Sequence, residues 1–242
     1  MVSDVDHGRA QRARRNEGLC VLAHAALFPF GFRRSRHRTP RSADRRTLVM
    51  VHGLGANRSS FFPLQSYLRL SGFPDQLATS YRSRGSIEAL ALQLKKTIDD
   101  RVRGGRIDVI AHSMGGLVAR FYAQHLGGGR RVDRLITLGT PHRGSYGAAR
   151  VPHTLVRQLD PSSPFIRRLN ASPPPATLRI TSIAAGRDAL VQPGDSALCP
   201  HGEHHTFAEL GHLSLLFSPT VFVTVGAALR AERPHEAEER AS

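Results

Sequence analysis

Ile107-Asp108-Val109-Ile110-Ala111-His112-Ser113-Met114-Gly115-Gly116 runs a short apolar stretch straight into a serine flanked by small residues. The stretch reads as a buried strand, and the apolar residues that continue to Gln124, before Gly127-Gly128-Gly129, read as a helix with a glycine stop. A serine on so tight a strand-to-helix turn is forced into a strained backbone conformation that only small neighbours tolerate. The helix N-terminus beneath it offers backbone N–H groups and a positive dipole end to developing negative charge. Ala111 stands where such a turn more often carries glycine. The spacing alone would also fit an ordinary strand-to-helix turn, so the flanking segments have to separate the two.

Working outward, strand and helix signals alternate. Thr47–Val51 is apolar and β-branched and stops at His52-Gly53. Phe61–Leu70 has helical spacing, Gln76–Tyr81 is a weaker strand, and Ser86 caps a helix through Val102 with Ile87, Leu90, Leu94 and Ile98 on one face. Beyond the serine, Val132–Leu138 and Leu178–Ala184 read as strands, a sixth lies near His205–Ala208, and a last helix covers Pro219–Ala231. The order predicts an α/β fold with a mostly parallel sheet of about six strands and helices on both faces. Ligand sites in such sheets lie beyond the carboxyl ends of the strands. The chain divides into a basic extension over 1–46, the α/β domain over 47–231 and a charged tail over 232–242. Within the domain, 145–176 is too long for a simple connection and is expected to form a cap over the site.

Three segments at strand ends carry the other candidate groups. His52-Gly53-Leu54-Gly55 is a glycine-loosened loop whose Leu54 N–H can join the Met114 N–H in facing a tetrahedral oxyanion. His212, in Leu210-Gly211-His212-Leu213, follows the last strand, where a general base belongs, with His201, His204 and His205 as competitors. Asp188, after the fifth strand, can hold an imidazole in the working tautomer, with Asp195 of a Pro-Gly-Asp turn as its rival. The Cys199–His205 stretch has the residue types of a metal cluster but also reads as a polar loop, and no metal or cofactor is expected.

The chain has 242 residues and carries 34 Lys+Arg against 19 Asp+Glu, a net charge of +15. Such a field suits peripheral contact with an anionic membrane, but the charge reads first as arginine used in place of lysine across an ordinary solvated surface. The basic tract Arg33–Arg38 has no interleaved aromatics and nothing resembles a nucleic-acid-binding fingerprint, which excludes that class of partner. Cys20 and Cys199 match no disulfide or zinc spacing and read as two unpaired thiols. Arg12, Arg14 and Arg15 precede an apolar run from Leu19 to Phe32, a pattern with some likeness to a signal peptide. Arg33, Arg34 and Arg36 then occupy the place of a cleavage site, and the run falls short of the about 20 apolar residues that span a bilayer. It is expected to pack on the domain or rest on a membrane surface, in a cytoplasmic protein.

Taken together, VHGLG (Val51–Gly55), AHSMGGLVAR (Ala111–Arg120), LITLGTPHRGS (Leu135–Ser145), AAGRDALV (Ala184–Val191) and LGHLSLL (Leu210–Leu216) resemble the bacterial triacylglycerol lipases and esterases of the α/β-hydrolase superfamily. The resemblance implies an α/β-hydrolase fold with Ser113, Asp188 and His212 as triad and the Leu54 and Met114 N–H groups as oxyanion hole. It also implies acyl-ester or lipid substrates, no cofactor, and a Thr140-Pro141-His142 loop in which His142 is structural or lines the pocket. An acyltransferase or thioesterase would use the same residues. A non-catalytic, basic membrane-binding protein is the remaining alternative. The extension over 1–46 has no counterpart in small secreted lipases.

Overall fold

A computed structural model describes residues 2–32, 46–81, 83–146 and 148–231. In chain order the helices are α1 (Val2–Leu27), α2 (Phe62–Leu70), α3 (Ile87–Arg101), α4 (Met114–His125), α5 (Thr154–Arg157), α6 (Pro164–Ala171) and α7 (Pro219–Arg230). The strands are β1 (Thr47–Val51), β2 (Gln76–Ala78), β3 (Ile107–His112), β4 (Val132–Leu138), β5 (Arg179–Ala185) and β6 (Glu203–Phe207). The tract Arg33–Arg38 and the tail 232–242 lie outside the described residues.

The six strands form one sheet in the order β2-β1-β3-β4-β5-β6, and every neighbouring pair is parallel. All residues of β1, β3 and β4 are buried, because helices cover both faces, and their sequences therefore read as unbroken apolar runs. On one face α3 and α4 pack with Leu155, Phe165, Ile166 and Leu169 of the segment that follows β4. On the other, Leu64 and Leu68 of α2 meet Val221, Val225 and Leu229 of α7. Each such aliphatic side chain contributes about 1.5–3 kcal/mol by leaving water.

Helix α3 shows how local chemistry places an element. The Ser86 side chain accepts from Ala89 N–H at 3.2 Å, Glu88 lies in the positive first turn, and Ile87, Leu90, Ala91, Leu94 and Ile98 make the buried stripe. β2 stops at Ala78, short of the expected Tyr81, because Tyr81 leaves the sheet to stack on His52 with ring centroids 4.2 Å apart. β6 is a polar, largely exposed edge strand that begins at Glu203, and so it has no apolar alternation to mark its start. At the amino ends of the strands, Asp108 lies 3.4 Å from Arg46 and 3.5 Å from Arg134, and Arg106 pairs with Asp133. That cluster ties β1, β3 and β4 together at the end opposite the strand tips discussed below.

The apolar run of the N-terminal segment forms the end of α1 and a short turn of helix over Phe28–Phe32. It packs on the domain: His24 Nε2 lies 2.8 Å from Ser60 Oγ, and Asn57 Nδ2 donates to the Phe28 carbonyl at 2.9 Å. Among the described residues, no helix is long and apolar enough to cross a membrane.

Candidate active site

The strand order reverses between β1 and β3, and in open α/β sheets such a switch point at the carboxyl ends of the strands is where ligands bind. Ser113 sits at that point, at the tip of β3. Its φ of 55° and ψ of −132° make it the only non-glycine residue with positive φ among the described residues. Strain of that kind costs on the order of 1–3 kcal/mol and persists only where the surroundings overdetermine it. Here Ser113 N–H donates to the Leu138 carbonyl at 2.8 Å, and Thr140 Oγ1 donates to the Ser113 carbonyl at 2.9 Å. A side chain at 116 would collide with Thr140, and one at 115 with the Val51 and His52 carbonyls, so the two glycines of AHSMGG let α4 approach the GTPH threonine and the end of β1.

The loop after β1 closes on the serine. A Cβ at position 53 would stand 2.9 Å from Ser113 Cβ, and glycine is what allows the approach. His52 supports this loop from beneath: Nδ1–H donates to the Gly53 carbonyl at 2.9 Å, Nε2 accepts from Tyr81 N–H at 3.3 Å, and the Tyr81 hydroxyl donates to the His52 carbonyl. Among the described residues, neither the Leu54 N–H nor the Met114 N–H donates to a protein acceptor.

Asp188 and His212 meet across the tips of β5 and β6. His212 Nδ1 and Asp188 Oδ2 are 2.6 Å apart, and both residues are buried. The second oxygen, Oδ1, accepts from the Leu190 and Val191 N–H groups at 2.8 and 2.9 Å, so the carboxylate cannot rotate away. The neighbour of Ser113 in sequence, His112, donates from Nε2 to the His212 carbonyl at 3.3 Å, and the two rings stand 4.7 Å apart. Gly139, at the tip of β4, borders the same imidazole; a Cβ there would lie 3.1 Å from Nδ1. The imidazole and the carboxylate thus meet at the strand tips, and the residue before Ser113 holds the His212 main chain.

The rivals stand elsewhere. Asp195 is exposed and lies 3.3 Å from Arg143. His201, His204 and His205 belong to the exposed edge around β6. His142 is fully buried: Nε2 donates to Thr137 Oγ1 at 2.9 Å, and Nδ1 faces Arg120 Nη1 at 3.3 Å. Arg120, also fully buried, donates to Asn170 Oδ1 at 3.1 Å. His142 therefore helps fasten α4 to α6 and lines no pocket. Cys20 and Cys199 are free thiols, and among the described residues no cluster of His, Cys, Asp or Glu is arranged to hold a metal ion. The sequence reading passed over the supporting roles of His52 and His112. The only available signal was their position beside the motif residues.

The buried imidazoles make stability depend on pH. Burial pushes His52 down from 6.5 to about 4, and holds His112 and His142 well below their ordinary value. Between pH 6.5 and 4 the unfolded chain therefore binds protons that the folded chain refuses, so stability falls as pH falls through that window. His52 alone accounts for about 3 kcal/mol of the loss. Urea midpoints measured at pH 7, 5.5 and 4.5 should decline steadily, with a shallower decline in a His52→Asn variant. A flat profile would contradict this account.

The mature Bacillus licheniformis lipase BlEst2 superposes with a TM-score of 0.64 at 17% identity, covering 81% of this chain and 95% of that one. A monoacylglycerol lipase of Paleococcus ferrophilus superposes with a TM-score of 0.57 at 15% identity over 76% and 91% of the two chains. The product of a Listeria innocua gene gives a TM-score of 0.62 at 16% identity over 78% and 96%. At such identities these likenesses speak for the α/β-hydrolase fold. The family model of the palmitoyl protein thioesterases matches residues 47–172, from β1 through α6 and including both the His52–Gly55 loop and Ser113. With that match over half of its length, the chain belongs to the palmitoyl protein thioesterase family.

Proposed function

We propose that the chain is a serine hydrolase of acyl esters, with Ser113, His212 and Asp188 as its triad. The observation that supports this reading is the buried 2.6 Å Asp188–His212 pair, whose histidine main chain is held by the neighbour of a serine at positive φ. His212 Nε2 takes the proton of Ser113 Oγ as the oxygen attacks the substrate carbonyl. The resulting oxyanion is met by the Leu54 and Met114 N–H groups. Collapse expels the leaving group, which receives the proton from His212, and leaves an acyl-serine. Water, deprotonated by the same imidazole, releases the acid by the reverse roles.

A second reading, thioester cleavage, is favoured by the family match. The same acyl-enzyme forms, but a thiolate departs with little need of His212 as acid. A lipid-borne acyl chain suits either reading. Leu19 and Leu22 point outward from α1 and Phe32 is exposed just beyond it, and the charge of +15 favours an anionic lipid surface.

A fluorophosphonate probe should label the wild type on the peptide containing Ser113. Matched palmitoyl oxyester and thioester substrates, run with and without a competing alcohol, should then show which bond is cleaved and whether water is the acceptor. A protein that neither takes the label nor turns over any of these substrates would end the proposal.

A further inference from the structure

We propose that Glu17 is a positioning residue for the His212 loop, and that α1 acts as a strap joining that loop to the loop after β1. The inference rests on the triad reading above. Glu17 Oε1 accepts from the Leu213 N–H at 2.7 Å, and Oε2 accepts from the Ser214 N–H at 3.0 Å and from the Ser214 hydroxyl. These are the two amides directly after His212, at the start of a short helical turn over Ser214–Leu216 that has no side-chain cap of its own. A carboxylate delivered from α1 supplies the missing cap, with charge-assisted bonds to the orphan donors of the turn. A Cβ at position 211 would collide with the Glu17 carboxylate, so Gly211 is what lets it reach the loop. One turn further along α1, Cys20 is partly buried, and burial pushes its thiol pKa up.

The same helix grips the other half of the site. His24 Nε2 lies 2.8 Å from Ser60 Oγ. The Phe28 carbonyl accepts from Asn57, and Asn57 in turn organises the turn after Leu54 by accepting from Ser59 N–H at 3.0 Å. Packed residues on α1 recur as Ala13, Glu17, Cys20 and His24, the spacing of a single helix face. Without Glu17, His212 keeps Asp188 on Nδ1 and His112 on its carbonyl, but the main chain that follows it loses its restraint. The imidazole would then wander from the geometry that proton transfer needs, and a displacement of about 1 Å can cost two orders of magnitude in rate. The Glu17 carboxylate is committed to the Leu213 and Ser214 amides, so binding should survive.

The test is steady-state kinetics of the full chain on a p-nitrophenyl ester, with the fluorophosphonate labelling rate beside it. Glu17→Ala should lower kcat and the labelling rate by about 10- to 100-fold with KM within about twofold. Glu17→Gln keeps the shape and one acceptor, and should recover part of that loss. Asn16→Ala, at an exposed position of α1, should leave both rates near wild type. If Glu17→Ala does not fold, Glu17→Gln carries the test: a fall in kcat at constant KM supports the assignment, and wild-type kcat overturns it. Wild-type kcat in a folded Glu17→Ala, or a loss confined to KM, likewise overturns it. If the wild type itself neither labels nor hydrolyses, the triad reading fails and takes this inference with it, an outcome distinct from an active wild type that is indifferent to Glu17.

Discussion

Replacing Ser113 with alanine should lower kcat by about 10⁴- to 10⁶-fold while leaving the fold intact, because in the proposed mechanism Ser113 Oγ is the atom that takes the acyl group. The change removes one oxygen and keeps the Cβ against which Gly53 packs. The φ of 55° is no harder for alanine than for serine, so the melting temperature should stay close to that of the wild type. The Leu54 and Met114 N–H groups remain, and they should still polarise a bound carbonyl, so the residual rate should exceed that of water alone. Burst and steady-state measurement of p-nitrophenol release would check both points. A variant that keeps even a tenth of the wild-type rate would assign the nucleophile to another residue.

Asp188→Asn should be nearly as damaging, by about 10⁴-fold in kcat, and for a reason that can be read from the hydrogen bonds. In the wild type Oδ1 accepts from the Leu190 and Val191 amides, and Oδ2 accepts from His212 Nδ1–H. An asparagine in the same place must keep its oxygen on the two amides, which turns its NH2 group toward Nδ1. The imidazole then has to accept at Nδ1 and carry its proton on Nε2, where it cannot take the proton of Ser113. The substitution preserves size, so a lost fold would not explain the result. Asp195→Asn is the control. Asp195 is exposed and pairs with Arg143, and exposed pairs of that kind contribute little. Its removal should change kcat by less than about twofold. Comparable losses in the two variants would undo the choice of Asp188.

Much of the framework could be read in advance, for reasons that differ by element. β1, β3 and β4 are buried on both faces, so each is an apolar run that stops at a turn. α3 carries its cap at Ser86 and its stripe at helical spacing. The candidate alcohol and imidazole were marked by glycine-rich turns at strand ends. β6 was placed only approximately, because an exposed edge strand needs no apolar pattern. The N-terminal segment was legible as apolar but not as to what it covers.

The amino-acid sequence by itself determined the parallel sheet, the strained serine turn and the order in which serine, acid and histidine follow along the chain. Those features depend on residues close together in sequence, where burial and turn geometry leave a local imprint. Only the tertiary structure decided that Asp188 and not Asp195 holds His212, that His142 serves Arg120 instead of a pocket, and that Glu17 reaches the Leu213 amide 196 positions away. Contacts over such separations are set by how whole elements pack, and a single polar side chain on a helix face carries no mark of the partner it will meet.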